Sequence, residues 1–151
     1  MQSVEVLVTL FRQHGYKITP QRRAIFEVLI RDDSHPTAED IYQHVLAVMP
    51  DISRTTVYNT LRELVALGEL LEVENASEGG TRYDTNADQH HHLLCLRCHR
   101  LVDVSHDFDG LALAPGETAG YRIVRHQVTF YGFCPQCQQQ LDEEKKREKG
   151  E

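Results

Sequence analysis

Four cysteines fall as two Cys-x-x-Cys pairs, Cys95-Leu-Arg-Cys98 and Cys134-Pro-Gln-Cys137, with residues 99–133 between them. Thiolates are soft donors, and two such pairs supply the four ligands of a tetrahedral Zn(II) site. The gap is longer than in a common zinc ribbon, so a folded segment is expected between the knuckles. One Cys-x-x-Cys could be a thioredoxin-like redox pair, but two in one small chain argue against that. Disulfides need an exported chain. The N-terminus, MQSVEVLVTLFRQ, lacks the basic region and apolar core of a signal peptide, so a cytoplasmic location is the expectation. Structural Zn(II) is the leading reading, with a redox switch or disulfides as alternatives.

Nine histidines are many for 151 residues. Asp84, His90, His91, His92 and, across the first cysteine pair, Asp103 form a cluster of harder ligands. On a strand, His90 and His92 share one face while His91 points away. His90 and His92 can then share a metal with Asp103 from a paired strand. Nitrogen and oxygen donors without sulfur suit Fe(II), Mn(II) or Zn(II). The plainer reading is a fortuitous surface run of histidines.

The net charge is −7, which excludes a wholly basic nucleic-acid-binding domain. It leaves room for a local basic face. Residues 11–23 carry Arg12, Lys17, Arg22 and Arg23 and no acid. No apolar run reaches the roughly 18 residues of a membrane span, so no membrane association is expected.

The first half reads as helices that would position this face. Val4, Leu7, Val8, Leu10 and Phe11 give one apolar stripe ending at His14-Gly15. Thr19-Pro20 signals a helix start that should bury Ile25, Phe26, Val28 and Leu29. Thr37 and Asp40 form a capping-box-like start for a third helix carrying Ile41, Tyr42, Val45 and Leu46, stopped by Pro50. Ser53 can cap a fourth, with Val57, Leu61, Leu64 and Val65 inside and Gly68 as its stop. Then the period becomes two: LLEVEN at 70–75 and TRYDTN at 81–86 flank Ser-Glu-Gly-Gly, a hairpin signal. Helices followed by a two-stranded ribbon describe a winged helix-turn-helix whose recognition helix is the fourth. Its apolar positions face inward and leave Arg54, Thr55, Tyr58, Asn59 and Arg62 outward, types that bond phosphates or base edges. Lys17, in the loop before the second helix, could reach a phosphate or a minor groove. A solvated helix face is the bland alternative.

The second half is strand-like in LLCL, RLVDV and YRIVRHQVTFYGF. Residues 107–120 hold three glycines and Pro115, so only a short helix fits there. The expected class is α+β. Residues 1–86 form a winged-helix domain, residues 87–137 a small α/β dimerisation domain with a four-cysteine zinc site, and residues 138–151 a polar, charged tail or terminal helix.

Several segments together resemble the ferric uptake regulator family of bacterial metal-dependent repressors: GYKITPQRRAIFEVL, HPTAEDIY, SRTTVYNTLRELVALGEL, RYDTNADQHHHLLCLRC, LVDV and YGFCPQC. They cover roughly residues 10–137 in the family's order. The resemblance implies a homodimer on AT-rich palindromic operator DNA. It matches Cys95, Cys98, Cys134 and Cys137 to structural zinc ligands. It matches His35, Asp84, His90, His92 and Asp103 to a regulatory metal site, and His35 is the one ligand that spacing could not supply. It also implies that a metal on these five sets the angle between the domains. Asp at both 84 and 103, with Asn59 after Tyr58, resembles the peroxide-responsive branch. There, bound Fe(II) reacts with peroxide, a ligating histidine (here His35 or His90) is oxidised, and repression ends; with Mn(II) the response is poor. Uptake regulators of iron, manganese or zinc are the alternatives within the family. Two departures stand out. The stretch FDGLALAPGETAGYRI replaces a regular helix beside the family's dimer interface. Gln89 occupies a ligand position of a further metal site, leaving His91 and His126 as candidates for it.

A metal-dependent hydrolase is the rival from another class, since His-x-His plus Asp could hold a catalytic metal. The chain offers no candidate nucleophile, no oxyanion-hole loop and no base distinct from the ligands, so no catalysis and no small organic substrate are expected. A zinc-stabilised interaction module is the other rival. It would not need Lys17, Arg54, Tyr58 and Asn59 exposed together.

Overall fold

The computed structural model describes residues 2–73, 80–88, 90–148 and 150. Ser77, Glu78 and Gly79 of the expected Ser-Glu-Gly-Gly turn, the position of Gln89 and the tail residues Lys149 and Glu151 lie outside them. The chain divides into two compact units, Met1–Ala87 and Asp88–Glu151.

In the first unit, helices α1 (Val4–Gln13), α2 (Pro20–Arg31), α3 (Ala38–Val48) and α4 (Arg54–Ala66) precede a ribbon of β1 (Leu71–Val73) and antiparallel β2 (Arg82–Asp84). This is a winged helix. The Thr19 hydroxyl accepts the Arg22 N–H to cap α2, and the Ser53 hydroxyl accepts the Thr56 N–H to cap α4. At the end of α4, Gly68 takes a φ of +73°, and the Glu69 N–H reaches back to the Leu64 carbonyl, closing the helix. The helices bury one continuous cluster centred on Phe11, Ile25, Phe26, Leu29, Ile41 and Leu61.

The α3 cap is a full capping box. The Asp40 carboxylate accepts from the Thr37 N–H at 2.9 Å and the Thr37 hydroxyl at 2.7 Å. The hydroxyl bond, chiefly, holds the Asp40 carboxyl below its ordinary 3.8. A carboxyl whose pKa is lower folded than unfolded stabilises the fold fully above the ordinary value, and that stability is lost as pH falls through the folded value. Thr37→Ala should therefore cost about 1 kcal/mol at neutral pH. The difference from wild type, read from denaturant midpoints, should shrink as pH drops below 3.8.

Thr37 also forms an isolated antiparallel bridge to Arg82. The Tyr83 N–H donates to the Pro36 carbonyl at 2.9 Å, and the Arg82 guanidinium donates to the His35 carbonyl at 3.0 Å. The loop before α3 is thus stitched to β2.

The second unit is a three-stranded sheet in the order β4-β3-β5. β3 (His91–Cys95) pairs antiparallel with β4 (Leu101–Val104) and parallel with β5 (Thr129–Gly132). The expected strand YRIVRHQVTFYGF is realised only in β5; residues 121–128 adopt no regular structure. The register explains this. His92 pairs with Thr129, so residues before Val128 lie beyond the start of β3 and have no ladder to join. Tyr121, Ile123 and Val124 are left exposed. Residues 107–120 hold only a single 3-10 turn, Pro115–Glu117, as Pro115 and the glycines require. The polar C-terminal segment is helical. Helix α5 (Pro135–Glu148) begins inside the second knuckle, and Glu144 accepts a two-pronged bond from Arg97 at 2.6 and 3.1 Å.

Candidate metal centres and nucleic-acid face

The four cysteine sulfurs lie within 4.8 Å of one another, and none is in a disulfide. β3 delivers Cys95 and the tight turn after it delivers Cys98. The end of β5 and the first turn of α5 deliver Cys134 and Cys137. Burial pushes the Cys95 thiol up, but N–H groups of Cys134, Cys98 and Arg97 aimed at its sulfur outweigh that and bring it down to about 6. Cys134 is lowered too, chiefly by the Cys137 N–H. Cys137 is pushed up to about 12, first by burial and then by the three neighbouring sulfurs. The site thus favours thiolates yet cannot charge all four unaided. A divalent cation resolves that conflict, so the donor set fits a structural metal.

The candidate nitrogen and oxygen ligands form one set in each unit. In the winged unit, carrying the Thr37–Arg82 register two residues further sets His35 opposite Asp84. His35 Nε2 lies 3.1 Å from Asp84 Oδ2, and both residues are buried. The other Asp84 oxygen accepts the Asn86 N–H at 2.8 Å. His35 has a φ of +55°, an uncommon left-handed conformation that the β2 stitching holds in place.

In the second unit, His92 pairs directly with Asp103 across β3 and β4. Asp103 Oδ1 lies 3.2 Å from His90 Nε2 and 3.6 Å from His92 Nε2. The His90 Nδ1–H donates to the Asp88 carbonyl at 2.7 Å. That bond fixes the Nδ1–H as a donor and turns Nε2 toward the Asp103 carboxylate.

His91 points to the other face, where its ring stacks on His126 at 5.6 Å. The Val128 N–H donates to His91 Nδ1 at 3.0 Å, which places the ring proton on Nε2. In this rotamer His91 is a donor rather than a metal ligand, and an ion shared with His126 would require the ring to turn.

On the winged unit, Arg54, Thr55, Tyr58 and Arg62 are exposed along α4, and Asn59 is half-buried. An open concavity joins Lys17, Thr19 and Gln21 to Thr56 and Asn59. It brings Lys17 and Asn59 together and adds Gln21 and Thr56, which sequence reasoning missed. The only signal for Gln21 was its place in the first turn of α2, where N–H groups gather. Two expected contacts are engaged elsewhere. Arg54 lies 4.3 Å over the Tyr42 ring and pairs with Glu39, and Arg62 bonds the Asn59 side chain.

Residues 13–131 match the model of the ferric uptake regulator family. A peroxide-responsive repressor from Staphylococcus epidermidis is 33% identical over 138 residues, 91% of each chain. A solved structure of the Streptococcus pyogenes peroxide sensor and gene regulator is 32% identical, with a TM-score of 0.52 over 91% of this chain and 94% of that one. The Helicobacter pylori ferric uptake regulator shares the fold, with a TM-score of 0.71 at 21% identity over 91% of this chain and 95% of that one. The fold these matches share is a winged helix followed by a small mixed unit, here with a four-cysteine cluster. The chain belongs to the ferric uptake regulator family, whose matched members are named as regulators and repressors. Among the described residues, no helix is long and apolar enough to cross a membrane.

Proposed function

We propose that this protein is a metal-dependent, DNA-binding transcriptional repressor that works in the cytoplasm as a homodimer on AT-rich palindromic operators. The observation that carries the reading is the pair of His–carboxylate sets, His35 with Asp84 in one unit and His90 and His92 with Asp103 in the other. In this reading the five side chains ligate one regulatory ion, Fe(II) or Mn(II), with Zn(II) as the alternative. Their joint engagement selects one angle between the units, at which the two α4 helices of a dimer meet successive major-groove half-sites. Lys17, Thr55, Tyr58 and Asn59 make the contacts, with Arg54 and Arg62 reaching DNA only by leaving their present partners. Cys95, Cys98, Cys134 and Cys137 hold structural Zn(II). The exposed apolar side chains Tyr121, Ile123 and Val124 support dimerisation, because a second copy could cover them.

We further propose that peroxide is the signal. Iron(II), when bound, would activate peroxide at this site. In this reading one peroxide oxygen is inserted at a C–H of the His35 or His90 imidazole and the other leaves as water, a two-electron oxidation of the ring by peroxide, and an oxidised imidazole is a poorer donor. Asp84, Asp103 and Asn59, together with relatives named as peroxide-responsive, support this branch over an iron-, manganese- or zinc-uptake regulator.

One experiment tests both levels. Protein purified without oxygen is assayed for metal content, then for salt-sensitive binding to a palindromic AT-rich duplex with Fe(II) or Mn(II), before and after peroxide. We expect one zinc plus iron or manganese per chain, operator binding only with the second metal, and release by peroxide with added oxygen on His35 or His90 by peptide mass spectrometry. Metal-independent binding would overturn the repressor mechanism. Unmodified His35 and His90, or two zinc ions per chain with binding titrating on zinc alone, would move the protein to an uptake-regulator role.

A further inference from the structure

Of the four basic residues in the acid-free stretch 11–23, Arg22 does not behave as a surface charge. Its side chain is 16% exposed. One guanidinium nitrogen donates to the Lys17 main-chain carbonyl at 2.8 Å. The other binds the Glu63 carboxylate of α4 at 2.7–2.8 Å. The guanidinium carbon sits 5.5 Å from the Phe11 ring centre and 5.6 Å from that of Tyr16. Arg22 therefore ties the end of α1, the Lys17 loop, α2 and α4 together. Both terminal nitrogens of its fork hold acceptors inside the protein, while the side chain also lines the concavity shared by Lys17 and Asn59.

We propose that Arg22 is the positioning residue that sets Lys17 in register with the recognition helix, so that both meet DNA as one rigid surface. The proposal rests on the DNA-binding reading above. Lys17 is exposed and long, and its own side chain restricts its reach very little. What locates it is its backbone, and Arg22 holds that carbonyl. The anchor on α4, Glu63, lies one helical turn from Asn59, so movement of either end is felt at the same concavity. Lysine cannot replace Arg22, because an ammonium lacks the planar fork that spans two acceptors in different elements.

Three variants test this in the metal-loaded full chain: Lys17→Ala, Arg22→Met and the double. Lys17→Ala should lower affinity for the palindromic duplex on the order of tenfold and reduce the salt slope by about one. Arg22→Met should do the same although Arg22 touches no phosphate, and the double variant should match the worse single one. Additive losses, or a slope that Arg22→Met still changes in the Lys17→Ala background, would make Arg22 a direct contact and overturn the proposal. Arg22→Lys guards against misfolding; it keeps the charge and should still lose most of the effect. Arg31→Met, which removes the same charge at the far end of α2, should leave binding unchanged. A readout without DNA keeps the inference independent of the repressor reading. In the free protein, exchange of the loop's Tyr16 amide, which donates to the Phe11 carbonyl at 2.9 Å, should quicken at least about tenfold in Arg22→Met, while that of the core amides of α2 and α4 does not. Unchanged exchange in the loop would defeat the proposal whatever the protein binds.

Discussion

Asp84→Asn should raise the Mn(II) concentration needed for half-maximal operator binding by on the order of 100-fold or more, because loss of an outer-shell partner alone costs about 10–100-fold and Asp84 is proposed as a ligand itself. The substitution keeps the side chain's shape and its bond from the Asn86 N–H, so the winged unit should stay folded. It removes the charge that faces His35 at 3.1 Å. His35→Ala should lose as much metal response and also cost some stability, since alanine tolerates the φ of +55° less well than histidine. Anisotropy of a labelled duplex against buffered Mn(II) reads the effect. A wild-type midpoint in both variants would remove this pair from the regulatory site. Retained thermal stability in Asp84→Asn would separate a lost ligand from a lost fold.

Cys95→Ser should unfold the unit Asp88–Glu151 while leaving Met1–Ala87 intact. The two units differ in what holds them. The winged unit buries a continuous apolar cluster, whereas the buried hydrophobic residues described in the second unit are Leu94, Leu101, Cys95 and Cys137, and two of these are metal-site candidates. So thin a core cannot offset chain entropy by itself. A structural zinc ion contributes about 10–16 kcal/mol in small zinc-dependent folds, comparable to the whole stability of a typical domain. Limited proteolysis with mass spectrometry should show cuts within residues 88–148 and protection of residues 2–73, alongside loss of zinc. A variant that stays protease-resistant without metal would show that the sheet stands on its own.

Local elements of the winged unit were readable because short-range bonds set them. Thr19, Thr37 and Ser53 each cap a helix through a partner three residues away, and Gly68 supplies the left-handed turn that ends α4. The two Cys-x-x-Cys knuckles were legible for the same reason: each spacing places two sulfurs side by side. Pairing His92 with Asp103 needed only the assumption that their strands are neighbours. The strand expected over 121–133 shows the limit of such reasoning. Its composition suits a strand throughout, but a ladder needs a neighbour, and the His92–Thr129 register supplies one only from residue 129 onward.

Arg54 and Arg22 show the same limit on the nucleic-acid face. Periodicity placed Arg54 outward on α4, yet Glu39 and Tyr42 of α3 hold it there. Arg22 counted as one of four basic residues, whereas its two acceptors, on Lys17 and Glu63, come from different elements. By itself, the sequence determined the helices of the winged unit, their caps, the paired cysteines and the side-chain types of the candidate sites, because each rests on side chains within one turn or one strand pair. Tertiary structure alone decided which distant groups meet. His35 faces Asp84 only because a single bridge, Thr37 to Arg82, sets an irregular loop in register with a wing strand. No periodicity encodes that bridge, since it joins one residue to one residue.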